Sequence, residues 1–365
     1  MEVADVFRQH FLEYQKTHRV SAAEYKVANA LMQCRTAELG GHVLKCTGCG
    51  KHEISYNSCR NRHCPKCGGG KAAKWVTERS KELLSVGYFH TVFTLPAGIR
   101  PLAKTAPREM SDLFFQAVSQ TLLQVGRKNL RCEIAATCVL HTWGSTLVYH
   151  PHIHCLIPGC GITSEGKALR FKKKRYFVSD KILSQVFRGK FCSLLKKAYR
   201  RGELPFYFDD IDVYLDSAVQ KQWVVRTTPP FAGPSVCLKY LARYTNRVAI
   251  SNRRILEVTK DHVRIRYKSY RQGGISRTMS FSPHEFIRRF LQHVLPTGFV
   301  RIRHYGFLSR QKKESSLALL REALGESRVS FKPHRARCPH CKSGTLEEIL
   351  EFPPLFTWKQ PYLFF

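Results

Sequence analysis

The spacing of apolar residues along the chain predicts an alternation of helices and strands. Apolar positions recur every three or four residues in some segments, as one face of a helix requires, and every second residue in others, as a half-buried strand requires. The helical segments are two short helices between Val3 and Cys34 and helices over residues 71–86, 108–126, 181–200, 235–249, 284–294 and 315–324. The extended segments are residues 88–95, 132–142, 152–158, 222–228 and a hairpin over 255–268.

Changes in composition divide the chain into three consecutive segments. A cysteine-rich stretch follows the first two helices, and the strand predicted at 88–95 begins a second domain. Beyond Glu326 the chain becomes rich in proline and aromatic residues and again contains cysteines. We therefore predict a helical, cysteine-rich domain over residues 1–85, a second domain over 86–325 and a C-terminal tail over 326–365.

The net charge of the chain indicates which class of molecule it binds. Sixty Lys and Arg against 27 Asp and Glu give a formal net charge of +33, which is typical of a protein that binds a polyanion. We therefore expect the chain to bind nucleic acid. The alternative is that the chain itself is a basic ribosomal-type or membrane-surface protein. The positive residues are spread from Arg60 to Arg337, which suits a long groove better than a tail.

The chain has neither a membrane span nor a secretory signal by sequence. No stretch approaches the roughly 20 consecutive apolar residues of a span, so we expect a cytoplasmic, nucleoid-associated protein without a membrane partner. In that compartment the 14 cysteines stay mostly reduced, and those with ligand spacing are metal ligands rather than disulfides. Six others are scattered and are expected to be ordinary small residues: Cys132, Cys138, Cys155, Cys160, Cys192 and Cys237.

Four cysteines have the spacing of a zinc site. Cys46 and Cys49 form one Cys-x-x-Cys knuckle, Cys64 and Cys67 form another, and residues 50–63 separate them. This spacing lets four thiolates converge tetrahedrally on one Zn²⁺. A site closed by four thiolates leaves no position for a substrate, so this zinc would serve folding and DNA docking.

Further potential ligands surround these knuckles. Cys34, His42, Cys59 and His63 could form a second, interleaved zinc site, or they could pack beside the first site and orient its ligands.

The cysteine-rich segment also contains basic residues, and a further Cys-x-x-Cys knuckle lies later in the sequence. Arg60, Arg62 and Lys66 lie within the cysteine-rich segment and would contact DNA phosphates. Near the other end, Cys338 and Cys341 form half a site. This knuckle is either part of a zinc site completed from elsewhere or part of a tail, and we favour the tail.

A His-x-His pair marks a candidate catalytic metal site. His152 and His154 are two positions apart in a predicted strand, so their side chains share one face and could hold one divalent cation. If residues 143–149 connect an antiparallel hairpin, His141 pairs with His152 and adds a third imidazole. His141 could instead be a hydrogen-bonded structural histidine, and His150 is also in phase with the pair.

Two tyrosines lie four positions apart in the helix predicted over 235–249. Tyr240 and Tyr244 are therefore neighbours on one face, about 6 Å apart along the axis. Basic residues flank them: Lys239, Arg243 and Arg247. A tyrosine hydroxyl has a pKa of about 10 and is a weak nucleophile, but a cation on the histidines could polarise a phosphodiester for its attack.

These motifs together resemble a known family. The HPHIH and YLARY sequences are similar to those of the HUH single-strand nucleases, and in particular to the two-tyrosine rolling-circle transposases of the insertion-sequence family numbered ninety-one. The similarity covers nearly the whole chain and includes SCRNRHCPKC at 58–67, FTLP at 93–96, HTWG at 141–144 and HEFIRRFLQHVLPTGFVRIRHYGFLS at 284–309.

The resemblance implies an α+β fold in which a small helical, zinc-binding domain precedes an HUH domain with a central antiparallel sheet packed by helices. It implies that Tyr240 and Tyr244 are the nucleophiles and that His152 and His154 bind the metal. Two residues depart from the family pattern, Asn246 in YLARYTN and Ser145 after HTWG. If the position of Asn246 helps to hold the metal or the helix, activity would be reduced.

The leading hypothesis is a metal-dependent DNA endonuclease and strand transferase, a transposase. It would nick single-stranded DNA at transposon ends, keep the 5′ end as a phosphotyrosine and transfer it to target DNA. Its cofactors would be structural Zn²⁺ and catalytic Mg²⁺ or Mn²⁺. The alternatives are a plasmid or phage replication initiator or relaxase with the same chemistry, and a non-catalytic zinc-dependent DNA-binding regulator.

Overall fold

A computed structural model describes residues 1–67, 75–171, 177–220, 223–231, 236–237, 248–269, 272–326 and 337–355. The chain divides into two compact units. The first combines residues 1–74, 248–294 and 332–365, and the second combines 75–247 and 295–331. This division differs from the three consecutive domains predicted from the sequence, because residues 248–294 and the C-terminal segment belong with the N-terminal helices.

Most of the predicted elements are observed, and the structure adds helices at Arg100–Thr105 and Ile211–Val219 that the apolar spacing did not predict. The helix predicted over 235–249 lies largely outside the described residues. The helices are α1 (Val3–Thr17), α2 (Ala22–Gln33), α3 (Arg100–Thr105), α4 (Pro107–Val125), α5 (Asp180–Arg200), α6 (Ile211–Val219), α7 (Pro283–Leu291) and α8 (Lys313–Leu324). The strands are β1 (Gly41–Cys46), β2 (His52–Tyr56), β3 (Tyr88–Thr94), β4 (Ala135–Trp143), β5 (Tyr149–Pro158), β6 (Cys160–Ile162), β7 (Ala168–Arg170), β8 (Val225–Phe231), β9 (Ile255–Val258), β10 (Val263–Ser269), β11 (Ile275–Phe281), β12 (Ile302–Gly306) and β13 (Leu346–Phe352).

A five-stranded sheet is the centre of the second unit. Its strand order is β12-β4-β5-β3-β8, and every neighbouring pair is antiparallel. Helices α4 and α5 cover one face through a continuous apolar core. The predicted α+β fold with a central antiparallel sheet packed by helices is therefore confirmed.

The main core of this unit forms because α4 carries an apolar stripe at helical spacing. Its buried residues include Met110, Phe114 and Val118, which lie on successive turns of one face. Phe187 of α5 packs between the helix and the sheet, with its ring centroid 5.6 Å from that of Phe114 and 5.2 Å from that of Phe93. Aromatic packing thus joins both helices to β3.

Side chains of β5 alternate between two faces of the sheet. Ile153, Cys155 and Ile157 belong to the main core. Leu156 packs in a second cluster with Leu317 of α8. Because successive side chains of a strand point to opposite faces, the intervening histidines lie on the face opposite the main core.

The first unit contains two small antiparallel sheets, with strand orders β13-β1-β2 and β11-β10-β9. The hairpin predicted at 255–268 is observed as β9 and β10. Helix α2 begins where the sequence predicted a break, because Ser21 accepts a hydrogen bond from the Glu24 amide and caps it. Phe7 of α1 packs edge-on against Phe290 of α7, at 5.4 Å between centroids.

Within the described residues, every helix is too short or too polar to cross a membrane.

Gly306 closes the edge strand of the five-stranded sheet in a conformation that only glycine tolerates there. Its φ is +65°, and a Cβ atom at this position would overlap the backbone carbonyl oxygen of Ile134. We expect Gly306→Ala to lower the free energy of unfolding by about 3 kcal/mol, because both left-handed strain and backbone displacement contribute. Urea or thermal unfolding of the full chain measures this effect.

Gly325 provides the matched control, because its φ is +83° but a Cβ atom added there would have no neighbouring atom within 4 Å. Gly325→Ala should cost only the conformational strain, about 1–2 kcal/mol. Equal losses for the two variants would show that the contact with Ile134 does not constrain the sheet.

Candidate metal centres

The pairing of β4 with β5 places three histidines together. His141 lies opposite His152, and Val139 lies opposite His154, so the pairing predicted for His141 is confirmed. The turn between the strands is closed by a hydrogen bond of 2.9 Å from the Gly144 amide to the Val148 carbonyl. We call His141, His152 and His154 the three-histidine cluster.

The three imidazoles have the geometry of a metal site. One ring nitrogen from each histidine lies within 4.8 Å of the others. The ring of His141 is 4.6 Å from that of His154 and 5.5 Å from that of His152. Trp143 stacks on His141 at 4.6 Å with an interplanar angle of 20°, which fixes the orientation of that ring.

Hydrogen bonds select the nitrogen that each β5 histidine offers to a cation. The Nδ1 atom of His152 lies 2.7 Å from the His150 carbonyl oxygen, so Nδ1–H donates and Nε2 remains for the metal. His150 thus contributes a carbonyl oxygen that orients the adjacent ligand. Burial lowers the pKa of the His150 imidazole to about 4.

His90 is a residue that the sequence motifs did not reveal. It lies on β3, and its Nε2 atom is 2.9 Å from the Nδ1 atom of His154. Burial lowers the pKa of His90 to about 4, so its ring is neutral and its Nε2 atom can accept a hydrogen bond from Nδ1–H of His154. The Nε2 atom of His154 is then available, as in metal sites whose histidines are held by a second layer of hydrogen bonds. A single histidine within an apolar strand has no spacing that would have revealed it.

The two tyrosines and their flanking basic residues lie outside the described residues. This applies to Tyr240 and Tyr244 and to Lys239, Arg243 and Arg247, together with the departure at Asn246. Their roles remain predictions from the sequence.

The cysteines form two clusters, and their pairing differs from the predicted one. Cys34, Cys59, Cys64 and Cys67 form the first, which we call the amino-terminal cysteine cluster.

Cys46, Cys49, Cys338 and Cys341 form the second, which we call the split cysteine cluster. The prediction that Cys46 and Cys49 share a site with the knuckle at 64–67 is therefore wrong. The reason is that β1, which ends at Cys46, pairs with β13 and so lies beside the C-terminal knuckle. The assignment of that knuckle to a tail is corrected by the same observation.

The amino-terminal cysteine cluster is compact and closed. The Sγ atom of Cys67 lies 3.3 Å from that of Cys34 and 3.5 Å from that of Cys59, and Cys64 lies 3.5 Å from Cys34. Cys34 and Cys64 are 0% and 1% exposed. Four thiolates in this arrangement fit a structural Zn²⁺ without a position for substrate.

Neither of the two histidines proposed as ligands of the second zinc is a member of the amino-terminal cysteine cluster. His42 uses both ring nitrogens, with Nε2 3.0 Å from Asn57 Oδ1 and Nδ1 2.9 Å from Glu348 Oε1. Its hydrogen bond with Glu348 raises its pKa. His63 is buried next to Cys64, but the cluster is completed by cysteine thiols. Cys34 and Cys59 from that predicted set belong to the amino-terminal cysteine cluster, whereas His42 and His63 do not; His42 instead lies in a group with Glu348 and Glu351.

The predicted phosphate contacts differ in their surroundings. Arg60 and Arg62 are exposed, which suits contact with DNA. Lys66 is half-buried and forms an ion pair with Glu2, and its Nζ atom also lies 3.4 Å from the Cys34 carbonyl oxygen. This lysine therefore supports the amino-terminal cysteine cluster rather than presenting a free charge.

Comparison with known proteins defines the class. A family model described as a transposase zinc-binding domain matches residues 6–95, and a model described as a putative transposase matches residues 135–315. The chain is a transposase.

Individual relatives define the family. The putative transposase y4qJ of Sinorhizobium fredii is 44% identical over 337 residues, which are 89% of this chain and 85% of that protein. The transposase for insertion sequence element IS801 of Pseudomonas savastanoi is 27% identical over 82% of this chain and 74% of its own length. The chain belongs to the IS91 family of transposases.

A solved structure is similar over part of the chain. The conjugative relaxase TrwC in complex with oriT DNA is 13% identical and has a TM-score of 0.24, covering 41% of this chain and 67% of that one.

The contact between His90 and His154 predicts an effect on metal affinity. We expect His90→Ala to weaken Mn²⁺ binding by the three-histidine cluster about 10- to 100-fold, because His154 loses the acceptor that orients its ring. His90→Gln retains an acceptor oxygen and should lose less. Calorimetric titration of the purified protein with Mn²⁺ measures both variants.

His304 offers a matched control on the same sheet. Burial lowers its pKa to about 4, as for His90, but its Nδ1 atom lies 3.0 Å from the Thr137 hydroxyl rather than from a cluster member. His304→Ala should leave the Mn²⁺ affinity unchanged. Equal weakening by His304→Ala and His90→Ala would rule out a specific positioning role for His90.

Proposed function

We propose that this transposase nicks single-stranded DNA at transposon ends through a tyrosine nucleophile and transfers the strand to target DNA. The observation that carries the proposal is the three-histidine cluster, which brings three imidazoles to one face of the sheet. A purely structural role would not require a ring nitrogen of each of three histidines to lie within 4.8 Å of the others. The net charge of +33 supports a nucleic-acid substrate, and a transposon substrate would place the protein at the nucleoid.

His141, His152 and His154 would hold the catalytic cation, and the remaining coordination positions would be open to water and a phosphate oxygen. When bound by these three histidines, a divalent cation would withdraw charge from the scissile phosphodiester and stabilise the charge that develops during its displacement. His90, the His150 carbonyl and Trp143 would keep the imidazoles oriented.

Tyr240 or Tyr244 would attack the phosphorus atom through its hydroxyl oxygen. The new bond joins the tyrosine oxygen to phosphorus, and the bond from phosphorus to the 3′ oxygen breaks. The proton of the tyrosine hydroxyl is balanced by the proton that the leaving 3′ oxygen gains. The product is a 5′-phosphotyrosine and a free 3′-hydroxyl. A 3′-hydroxyl of the target can then reverse these steps, so rejoining needs no nucleotide cofactor.

Two tyrosines four positions apart would permit two covalent links without dissociation. Lys239, Arg243 and Arg247 in the same segment would bind the phosphates on either side of the nick. Arg60 and Arg62 would contact DNA from the zinc-binding domain, where both are exposed.

A replication initiator or relaxase would use the same chemistry, and a non-catalytic zinc-dependent regulator would use the zinc-binding domain alone. The match of both transposase models to this chain favours the transposase over the first alternative. The second alternative gives the three-histidine cluster no role.

The tyrosine step predicts a covalent protein–DNA adduct. Labelled single-stranded oligonucleotides from the element's ends, incubated with the protein and Mn²⁺, should give an adduct that survives a denaturing gel. The Tyr240→Phe and Tyr244→Phe double variant should lose the adduct entirely and still bind the oligonucleotide, since only the nucleophile is removed.

Tyr207→Phe is the control, because this tyrosine is 84% exposed and remote in sequence from the proposed nucleophiles. A wild-type protein that binds its terminal oligonucleotides tightly but forms no adduct would exclude the tyrosine mechanism. The single variants report which hydroxyl acts first.

The donor set predicts the preferred cation. Imidazole nitrogens favour first-row transition metals over Mg²⁺, which prefers oxygen ligands. We therefore expect Mn²⁺ to support adduct formation at a lower concentration than Mg²⁺ does. We expect His152→Ala to abolish the metal-dependent reaction with either cation. Metal titrations of adduct yield test this expectation.

His262→Ala is the control for the histidine variant, because His262 lies in the first unit and interacts with Glu257 at 3.3 Å. Full adduct formation by His152→Ala at ordinary Mn²⁺ concentrations would show that the cluster is not the catalytic cation site.

A further inference from the structure

The split cysteine cluster has the dimensions of a tetrathiolate zinc site. The Sγ atoms of Cys46 and Cys341 are 3.7 Å apart, and those of Cys49 and Cys338 are also 3.7 Å apart. Sulfur atoms placed tetrahedrally about 2.3 Å from Zn²⁺ are separated by about 3.8 Å. Both observed separations match this value, and all four sulfur atoms lie within 4.8 Å of one another, as one zinc ion requires.

Backbone amides support these sulfur atoms as they do in zinc knuckles. The amides of Gly48 and Cys49 donate to Cys46 Sγ at 3.3 and 3.5 Å. On the other side, the Gly344 amide donates to Cys341 Sγ at 3.3 Å. Each half of the cluster thus has one cysteine whose sulfur accepts from a following backbone amide, Cys46 in the first knuckle and Cys341 in the second.

The two halves also fit closely against each other. A Cβ atom on Gly344 would collide with Cys46 Sγ and would lie 2.9 Å from the Gly48 amide nitrogen. Across the same contact, the Thr47 amide donates to the Thr345 carbonyl at 3.0 Å, and the Thr345 amide donates to the Thr47 hydroxyl at 3.2 Å. Both knuckles are therefore held in register before any ion is considered.

Strand pairing extends this contact along the C-terminal segment. β13 pairs with β1 from the Cys46–Leu346 pair to the Gly41–Phe352 pair. β1 is therefore the central strand of its sheet, with β2 on one side and β13 on the other. Without β13, β1 would become an edge strand with unpaired backbone groups.

We propose that Cys46, Cys49, Cys338 and Cys341 bind a second structural Zn²⁺ that joins the two ends of the chain in one zinc-binding domain. The matched zinc-binding domain ends at residue 95, so it contains the whole amino-terminal cysteine cluster but only half of this second site. The C-terminal segment over 337–355 completes the domain. This proposal is independent of the strand-transfer chemistry.

Zinc counting on the purified full-length protein tests the proposal. We expect two zinc ions per chain by elemental analysis or native mass spectrometry. The Cys338→Ser and Cys341→Ser double variant should retain one, because a serine hydroxyl does not replace a thiolate ligand. The Cys46→Ser and Cys49→Ser double variant should also retain one, and combining all four substitutions should cause no further loss.

Cys192→Ser is the control, because Cys192 is a free cysteine outside both cysteine clusters, and it should retain two zinc ions. One zinc ion in the wild type, or two in the Cys338→Ser and Cys341→Ser variant, would overturn the proposal. So would additive loss in the combined variant, which would indicate that the two knuckles bind separate ions.

Alkylation of the wild-type protein gives a second test that does not depend on how well a variant folds. Peptide mass spectrometry should show Cys338 and Cys341 protected from N-ethylmaleimide together with Cys46 and Cys49, although Cys49 is exposed. A zinc chelator should expose all four at one rate. Rapid labelling of Cys338 and Cys341 in the untreated protein, with the other two protected, would contradict a shared ion.

Discussion

The antiparallel pairing of β4 with β5 is the constraint on which the candidate catalytic centre depends. Side chains alternate along each strand, so a shift of one residue in this pairing would send His152 and His154 into the main core. The apolar residues between them hold the register, because Ile153 and Cys155 fill that core. Packing on one face of the sheet therefore fixes the position of metal ligands on the other. β5 also pairs with β3, and His90 of β3 contacts His154 of the three-histidine cluster.

Much of this arrangement could be predicted from the sequence, and the exceptions have physical reasons. Strand periodicity was sufficient to pair His141 with His152, because a short connection leaves little choice of register. The cysteine pairing could not be predicted in the same way, since knuckle spacing defines half-sites but does not say which halves meet. The pairing of β1 with β13 decides which half-sites meet, and these two strands lie far apart in the sequence, with Gly41 opposite Phe352. His90 lacked any motif, because its role arises from a diagonal contact between strands.

In the proposed function, the cysteine clusters and the three-histidine cluster would have different roles, structural and chemical, because their donor atoms differ. Thiolates from four cysteines satisfy zinc completely, and such a site contributes folding energy. In the proposed function, three imidazoles would leave coordination positions open, and these neutral donors would leave more positive charge on the ion to act on a phosphate. The excess of basic residues would serve a different purpose from either centre, since contacts with DNA phosphates give affinity without choosing a sequence. Removal of a cysteine cluster should therefore affect folding, whereas removal of the three-histidine cluster should affect catalysis.

The split cysteine cluster also has a consequence for how the protein is made. Cys49 and Cys338 are separated by 289 positions, and at a synthesis rate of about 5–20 residues per second the first knuckle emerges roughly 15–60 s before its partner. During that interval Cys46 and Cys49 are exposed thiols on a ribosome-bound chain, open to oxidation or to a wrong partner. The amino-terminal cysteine cluster has all four cysteines by residue 67 and can close early. If the two knuckles share one ion, a nascent chain completes this zinc site only after residue 341 has been synthesised.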